Sequence, residues 1–180
     1  AIRWLKSRAA EYGIDPERVA VGGHSSGAHL AALTAVTPDH PALDPDDGPD
    51  ESSVVSAVVA MNGPYDLRKL GAMDSTRSFI SEFVRQLIGA PFAEEPDMYR
   101  LATPIEHLIG NEPPFLVMTS TNDEEVPLQE SVLLRDCLVA TGDHAVLHIA
   151  DGGDHTCLLA GNSHYEEGME RIEVFLRRHL

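Results

Sequence analysis

Short apolar runs alternate along this chain with longer stretches in which apolar residues recur every three or four positions. The short runs favour β-strands, and the consecutive apolar positions of residues 54–61 are typical of a strand buried on both faces of a parallel sheet. The longer stretches predict helices. The predicted strands are residues 19–21, 54–61, 115–120 and 145–150, and the predicted helices are residues 1–12, about 26–37, 77–88, 129–140 and about 165–179. This alternation predicts an α/β fold built on a mainly parallel sheet.

The first predicted strand leads into a G-x-S-x-G segment at residues 23–27. With a strand before it and a helix after it, the segment predicts an abrupt turn that raises the Ser25 hydroxyl above the edge of the sheet. We expect a Cβ at Gly23 or Gly27 to crowd the neighbouring element, since strand and helix backbones approach closely there. The backbone N–H of Ser26 opens the helix and is expected to donate to an oxyanion. Ser25 is therefore the predicted nucleophile, and a plain turn rich in glycine and serine is the alternative.

Two further loops at the same edge carry the groups that a nucleophilic serine needs. Asp123 follows the third predicted strand and His155 follows the fourth, and parallel sheets bind their ligands at the carboxyl ends of the strands. A serine hydroxyl needs a base that takes its proton, and an imidazole base needs an anion that fixes its tautomer. We therefore predict Ser25 as nucleophile, His155 as base and Asp123 as acid. The order serine, acid, histidine is the order found in α/β-hydrolases.

Other side chains compete for these roles. His164 lies in the same terminal loop region as His155 and is the main rival base. His24 is expected to point away from the exposed position of the nucleophile, His29 lies one turn into the helix, and His148 lies within a strand. The rival acids are Glu124, Glu125 and Asp154, while Asp66 is expected to form a turn, and Asn62 and Tyr65 are expected to form turns or caps or to contact substrate.

The balance of charged and sulfur-containing residues limits the classes of partner. The chain has 13 basic and 29 acidic side chains and a net charge of −16, which argues against binding to nucleic acid or to an anionic membrane surface. No run of about 18 apolar residues is present. Cys137 and Cys157 lack zinc or redox spacing. The acidic loop at residues 38–52 offers carboxylates to Ca²⁺, but its prolines break any regular ligand spacing, so we predict no metal site.

The length of 180 residues predicts one domain that spans residues 1–180. A long excursion at residues 68–108 is a candidate cap insertion. Its stretch from 77 to 88 carries an amphipathic stripe of Phe79, Ile80, Phe83, Val84, Leu87 and Ile88. This stripe has two interpretations, a helix packed on the sheet or the wall of an acyl pocket.

Several spaced motifs extend these inferences. They are Ile14-Asp15-Pro16-Glu17-Arg18-Val19-Ala20-Val21 before the G-x-S-x-G segment, Gly63-Pro64-Tyr65-Asp66-Leu67, Ala102-Thr103-Pro104-Ile105, Pro113-Pro114-Phe115-Leu116, Asp123 before Val126-Pro127, and Gly153 with His155. With these motifs the chain resembles the α/β-hydrolase carboxylesterases, in particular a subgroup with esterase/lipase-like, acetyl-xylan or feruloyl esterase-like and kynurenine formamidase-like members. The resemblance implies a serine hydrolase that cleaves small-molecule carboxylic esters through a Ser-His-Asp triad and an acyl-enzyme, without a cofactor. An arylformamidase with the same triad and a non-catalytic binding module are the alternatives.

The resemblance also implies that parts of the fold lie outside this sequence. Members of that family have several strands before this region and a His-Gly-Gly loop that supplies a second oxyanion amide, whereas this chain opens at Ala1 within a predicted helix. We therefore expect the C-terminal half of the fold, about four strands, with residues 19–21 on an unpaired edge. Such an edge favours pairing with a second copy of the chain or with a missing segment. Loss of one oxyanion donor lowers a rate roughly 100- to 1000-fold. A cytoplasmic location is slightly favoured, but it depends on what precedes Ala1.

Overall fold

A single parallel sheet organises the molecule. The computed structural model describes residues 1–43, 48–73 and 79–180. Its strands are β1 (Ala20–His24), β2 (Ala57–Met61), β3 (Phe115–Ser120) and β4 (Ala145–Ala150), which lie side by side in sequence order, each parallel to its neighbour. The register places His24 opposite Met61 and Met61 opposite Met118, so the carboxyl ends of the first three strands are adjacent. The predicted α/β fold with a parallel sheet is confirmed.

Helices connect and flank these strands. They are α1 (Ile2–Ser7), α2 (Ala9–Tyr12), α3 (Ser26–Val36), α4 (Leu67–Ala72), α5 (Phe79–Ile88), α6 (Pro96–Leu101), a 3₁₀ helix (Pro104–His107), α7 (Leu128–Thr141) and α8 (Tyr165–His179). The first predicted helix is two short helices, because Arg8 leaves the helical region at φ −115° and its N–H donates to Leu5 O, which tightens the last turn of α1. Gly13 ends α2 in the left-handed region, at φ 66°.

The sheet is covered on both faces. Helices α3 and α7 pack on one face, and Ala28, Leu134 and Leu138 are fully buried there. Helix α8 covers the other face through Phe175. Each fully buried leucine stabilises the fold by about 1.5–3 kcal/mol. Because the residues of α3 that face the sheet are mostly alanines, this helix lies close to the ends of β1 and β2, which brings its first turn against the loop that follows β2.

Helices α4, α5 and α6 form a separate small cluster. Its buried members are Leu67, Leu70, Val84 and Tyr99. Val84 of the predicted stripe therefore packs against α4 and α6, and the interpretation of α5 as a helix packed on the sheet is wrong. Residues 77 and 78 of the predicted helix lie outside the described residues. The single domain at 1–180 and the cap insertion at 68–108 stay predictions.

Three predictions concern binding surfaces. Within the described ranges, no group of three or more His, Cys, Asp or Glu side chains is placed to hold a metal ion, and residues 44–47 of the acidic loop lie outside those ranges. The helices of the same ranges are all too short or too polar to cross a bilayer. Strand β1 is an edge strand that pairs with β2 alone among the described strands. The predicted pairing of this edge with a second copy or with another segment stays a prediction.

Candidate active site

Ser25 occupies a strained turn between β1 and α3. Its backbone angles are φ 56° and ψ −122°, a conformation that costs a non-glycine residue about 1–3 kcal/mol. The surrounding structure holds it there. The Ser25 N–H donates to Met61 O at the end of β2 over 2.8 Å, and the Ser25 carbonyl accepts the N–H groups of Ala28 and His29 in the first turn of α3. This is the abrupt strand-to-helix turn that the sequence predicts.

Gly23 and Gly27, on either side of Ser25, differ in the space that the structure leaves for a side chain. A Cβ at Gly23 would lie 2.3 Å from the carbonyl carbon of Gly27, far inside contact distance. A Cβ at Gly27 would meet no described atom within 4 Å. The expectation of crowding is therefore right for Gly23 and wrong for Gly27, because in this turn the helix backbone runs over the strand and the side-chain direction of Gly27 points away from it.

Ser26 is the first residue of α3. The N–H groups in the first turn of a helix have no acceptor within the helix and carry a partial positive charge. Ser25 and Ser26 line the same cavity. Ser26 therefore begins α3 beside the cavity that Ser25 lines, and its role as an oxyanion donor stays a prediction.

Asp123 and His155 are directly hydrogen bonded. His155 Nδ1 donates to Asp123 Oδ2 over 2.7 Å, across loops that follow β3 and β4. The other oxygen, Asp123 Oδ1, accepts the backbone N–H groups of Glu125 and Val126 over 2.9 Å and 2.8 Å. The carboxylate side chain is completely buried and that of His155 is 9% exposed. This arrangement fixes the imidazole tautomer with Nε2 free to act as a base.

Hydrogen bonding lowers the pKa of Asp123 and raises the pKa of His155. Burial would raise the pKa of Asp123, but the hydrogen bonds from His155, Val126, Asn62 and Glu125 outweigh burial and lower it. The hydrogen bond to Asp123 raises the pKa of His155 against the opposing effect of burial, and the nearby carboxylates of Glu125 and Asp154 add to the rise. Asp123 is therefore an anion at neutral pH, and His155 takes up a proton more readily than a free histidine.

Ser25 and His155 are close to the same sheet edge but are not hydrogen bonded to each other. Among the described residues, no hydrogen bond joins Ser25 Oγ to His155, whose Nε2 lies 3.8 Å from Glu125 Oε2. In enzymes without bound substrate such hydrogen bonds are often long and tighten in the substrate complex. The structure thus brings Asp123 and His155 together and leaves Ser25 at the same edge of the sheet, without a formed contact.

Three side chains hold the His155 loop or Asp123. Sequence reasoning assigned neither His24 nor Ser120 to the site, and it gave Asn62 a turn, a cap or a substrate contact. His24 Nε2 donates to His155 O over 2.6 Å, and the two imidazole centroids are 4.6 Å apart. Asn62, only 1% exposed, donates to Asp123 Oδ2 over 2.8 Å. Ser120 donates to Asp154 O over 2.8 Å. The available signal was position. Asn62 directly follows the predicted strand 54–61 and Ser120 ends the predicted strand 115–120, whereas His24 lies three residues beyond the predicted strand 19–21, within the G-x-S-x-G segment.

None of the rival bases and acids occupies the place of His155 or Asp123 in the hydrogen-bonded pair. His164 Nδ1 contacts Ser163 Oγ, His148 faces Glu167 at 3.9 Å, and His29 donates to Ala102 O. Asp154 accepts the N–H and the hydroxyl of Thr156. Glu124 is exposed, and Glu125, whose side chain is 53% exposed, lies 3.8 Å from His155 Nε2 and not at Nδ1. Asp66 caps α4 by accepting the Lys69 N–H, as its expected turn role requires.

An apolar cavity of about 520 Å³ opens beside Ser25 and Ser26. Helix α5 forms one wall with Phe79, Phe83 and Leu87, which are 65%, 56% and 64% exposed. Its other lining residues are His29, Pro64, Leu67, Ile80, Val84, Gln86, Glu125 and Val126. The stripe of α5 therefore has one buried side and one side that faces this cavity.

Comparison with known proteins decides the family. The family described as BD-FAE matches residues 1–138. The chain belongs to the BD-FAE family. This membership agrees with the resemblance to α/β-hydrolase carboxylesterases that the spaced motifs indicate, and that resemblance is confirmed.

Several named relatives of this chain are esterases. Esterase LipQ of Mycobacterium tuberculosis is 34% identical over 152 residues, which cover 82% of this chain and 35% of LipQ. A solved structure described as a truncated form of a carbohydrate esterase from gut microbiota superposes with a TM-score of 0.80 at 29% identity and covers 99% of this chain and 65% of that one. Propionate-bound Est2, an esterase of Thermogutta terrifontis, superposes with a TM-score of 0.76 at 27% identity. The match covers 98% of this chain and 61% of the Est2 chain.

The BD-FAE chain thus spans about a third of the length of LipQ and less than two thirds of the length of these two structures. The names of these relatives support ester hydrolysis and give no support to the arylformamidase alternative.

Proposed function

We propose that this chain carries the catalytic triad of a carboxylesterase, with Ser25 as nucleophile, His155 as base, Asp123 as the acid that orients the base, and Ser26 N–H as an oxyanion donor. The observation that carries the proposal is the buried hydrogen bond of 2.7 Å between His155 and Asp123, at the edge of the sheet where Ser25 occupies its strained turn. Esterase relatives support the reaction class.

The first half of the reaction follows from these positions. His155 Nε2 takes the proton of the Ser25 hydroxyl while the serine oxygen attacks the ester carbonyl carbon. The carbonyl oxygen becomes an oxyanion that accepts the Ser26 N–H, and the Asp123 carboxylate stabilises the positively charged imidazole. The imidazole then gives its proton to the alcohol oxygen as the carbon–oxygen bond breaks, which leaves an acyl group on Ser25.

The second half repeats these steps with water. His155 takes a proton from water, the resulting hydroxide attacks the acyl carbonyl carbon, and the imidazole returns the proton to Ser25 as the carboxylic acid leaves. General base catalysis contributes typically about 100- to 10,000-fold and one oxyanion donor about 100- to 1000-fold. No step requires a metal or an organic cofactor.

The cavity supports an apolar acyl group as part of the substrate. His155 must protonate the alcohol oxygen, so the alcohol leaves on the side of the imidazole. Within the described residues, the cavity is lined by Ser25 and Ser26 but not by His155, so it receives the acyl side. Its volume of about 520 Å³ and its wall of α5 side chains suit an aliphatic or aromatic acyl group. Burial of each methylene contributes about 0.8 kcal/mol, or about fourfold in kcat/KM.

A covalent probe tests the triad. A fluorophosphonate should label the wild-type chain at Ser25, and labelling should be absent in Ser25→Ala. Intact mass and a peptide map identify the modified residue. Absence of labelling in the wild type, with the chain folded by circular dichroism, would reject the carboxylesterase proposal in favour of a non-catalytic module.

Two series of esters then test the acyl assignment. One series lengthens the acyl chain of a nitrophenyl ester from acetyl to octanoyl, and the other lengthens the alkyl alcohol of an acetate. We expect kcat/KM to rise along the acyl series and to stay nearly constant along the alcohol series. A rise confined to the alcohol series would overturn the assignment of the cavity to the acyl group.

A further inference from the structure

Side chains at the ends of three strands lie close to two consecutive backbone carbonyl groups, those of Asp154 and His155. His24 is the last residue of β1, Asn62 follows β2 directly, and Ser120 is the last residue of β3. His24 Nε2 lies 2.6 Å from His155 O, and Asn62 Nδ2 lies 3.3 Å from the same oxygen. Ser120 Oγ lies 2.8 Å from Asp154 O. We call His24, Asn62 and Ser120 the carbonyl clamp.

The acceptors of these bonds determine where the protons lie. A carbonyl oxygen can only accept, so His24 Nε2 carries a proton and the Ser120 hydroxyl points to Asp154 O. Ser120 Oγ therefore accepts from Asn62 Nδ2, which lies 2.8 Å away. The other Asn62 Nδ2 proton points to Asp123 Oδ2. All three members of the clamp thus act as donors toward the loop or toward Asp123.

The orientation of Asn62 shows that the clamp is built around the acid. Asn62 Oδ1 is buried and has no hydrogen-bond partner among the described residues. A flipped amide would turn this oxygen toward the Asp123 carboxylate, where two acceptors repel each other. The backbone of Asn62 is also in the left-handed region, at φ 50°, which is uncommon for a residue other than glycine. The amide orientation that leaves Oδ1 without a partner is the one in which Nδ2 donates to Asp123.

The His155 loop carries other hydrogen bonds, from Asn122 N–H to Gly153 O over 2.9 Å and from Cys157 N–H to Asp154 O over 3.3 Å, but neither of these donors belongs to a strand. His155 follows the edge strand β4 by five residues and precedes α8, in a segment without regular helix or strand. Catalytic groups must be held within about 0.5 Å of their working position, and a misplacement of 1 Å can reduce a rate about 100-fold. The clamp ties this loop to the ends of β1 and β3, and it ties Asp123 to the residue that follows β2.

We propose that His24, Asn62 and Ser120 are positioning residues that set the distance between the His155 imidazole and the Ser25 hydroxyl. His24 and Ser120 hold the carbonyls of His155 and Asp154, and Asn62 holds the Asp123 carboxylate. The inference rests on the proposed triad. The clamp acts on the chemical step and not on substrate binding, because its members contact the loop backbone and Asp123, and none of them lines the cavity among the described residues.

Two variants of His24 test the hydrogen bond itself. His24→Leu removes the donor, whereas His24→Gln replaces it with an amide at a similar reach. We expect kcat for an ester substrate to fall tenfold or more in His24→Leu with KM within twofold of the wild type, and to recover by more than half of that loss in His24→Gln. The rate of labelling by a fluorophosphonate should follow kcat.

A second histidine supplies the matched control. His107 Nε2 contacts Leu101 O over 3.0 Å, a bond of the same type in the 3₁₀ helix. His107→Leu should lower the melting temperature by an amount similar to that in His24→Leu and leave kcat unchanged. Equal losses of kcat in both variants, or equal losses in His24→Leu and His24→Gln, would overturn the positioning role.

A spectroscopic readout separates this inference from the proposed function. The His155 Nδ1 proton should give a downfield proton NMR signal in the wild type, broadened in His24→Leu and Ser120→Ala and restored in His24→Gln. If the wild type shows neither esterase activity nor labelling, the proposed triad is rejected. The NMR signal of the His155 Nδ1 proton still tests the clamp in that case. An unchanged signal in His24→Leu and Ser120→Ala rejects the clamp even when the enzyme is active.

Discussion

A Cβ atom on Gly23 would lie 2.3 Å from the carbonyl carbon of Gly27. This contact is between strand β1 and the first turn of α3, and neither backbone can move without displacing Ser25 between them. We expect Gly23→Ala to abolish fluorophosphonate labelling and to lower stability by several kcal/mol, since overpacking against backbone typically costs about 1–3 kcal/mol or more.

Gly27→Ala is the matched variant, because its Cβ would meet no described atom within 4 Å. We expect its free energy of unfolding to be unchanged or raised by up to about 1 kcal/mol, owing to the higher helix propensity of alanine. Urea unfolding of both variants measures the difference. Similar destabilisation of the two would contradict the geometry of this turn.

The pH dependence of activity should reflect the raised pKa of His155. His155 must be neutral to accept the serine proton, so activity is lost as pH falls through this pKa. Because Asp123 raises it, the acid limb of the kcat/KM profile should lie above pH 6.5. A profile with its acid limb below pH 6.5 would show that another group titrates.

Glu125→Gln should move this limb to lower pH. The Glu125 carboxylate lies 3.8 Å from His155 Nε2 and contributes to the raised pKa of His155, so its removal makes the charged imidazole less favourable. The Glu125 side chain is 53% exposed, and the shift should therefore shrink with added salt. Glu124→Gln, a neighbouring exposed position, should leave the profile in place.

Asp123→Asn should reduce kcat by about 10,000-fold, as removal of the acid does in other triads. The amide cannot accept from His155 Nδ1 and from the surrounding donors at once, so the imidazole loses its fixed tautomer. KM should change little because Asp123 is completely buried and does not reach substrate. Single-turnover kinetics separate the two constants, and a loss below tenfold would assign the acid role to another carboxylate.

The exposed face of α5 should control acyl selectivity. Leu87→Glu places a charge in the cavity wall at a side chain that is 64% exposed, so folding should be little affected. We expect kcat/KM for octanoyl esters to fall tenfold or more while that for acetyl esters changes less than threefold. Val174→Glu, at a 69% exposed position of α8, is the control and should alter neither. Equal effects of Leu87→Glu on both esters would contradict the acyl site.

Glu130 should stabilise the loop that follows β2. Its side chain is buried, and Oε2 accepts the N–H groups of Tyr65 and Asp66, each over 2.8 Å. Glu130→Ala leaves both donors buried without acceptors, at a cost of about 1–3 kcal/mol each. The urea midpoint should therefore fall by an amount that corresponds to about 2–6 kcal/mol.

The contribution of Glu130 to the free energy of unfolding should decrease as pH rises. Burial raises the pKa of Glu130, so the folded state holds the proton more tightly than the unfolded state. The resulting stabilisation is complete below the ordinary pKa of 4.5 and is lost as pH rises through the folded value. Relative to Glu130→Gln, the wild type should therefore lose stability as pH rises from 4.5. An opposite slope would show that the two N–H donors outweigh burial.

The sequence by itself determined the strands, the main helices, and the three side chains proposed for chemistry. Hydrophobic spacing reports which residues are buried within each element, and the order of strands and loops places Ser25, Asp123 and His155 at one edge of a parallel sheet. These are local patterns combined with a general rule of topology, and both can be read along the chain.

Only the tertiary structure decided which side chains from different strand ends meet. His24 lies 131 positions before His155, and no periodicity links the two. The same holds for α5, whose stripe packs on α4 and α6 and not on the sheet, and for Gly27, whose open side depends on how α3 crosses β1. The spacing of apolar residues along a chain indicates which residues are buried. Which side chains contact each other depends on how whole helices and strands pack, and no single segment specifies that packing.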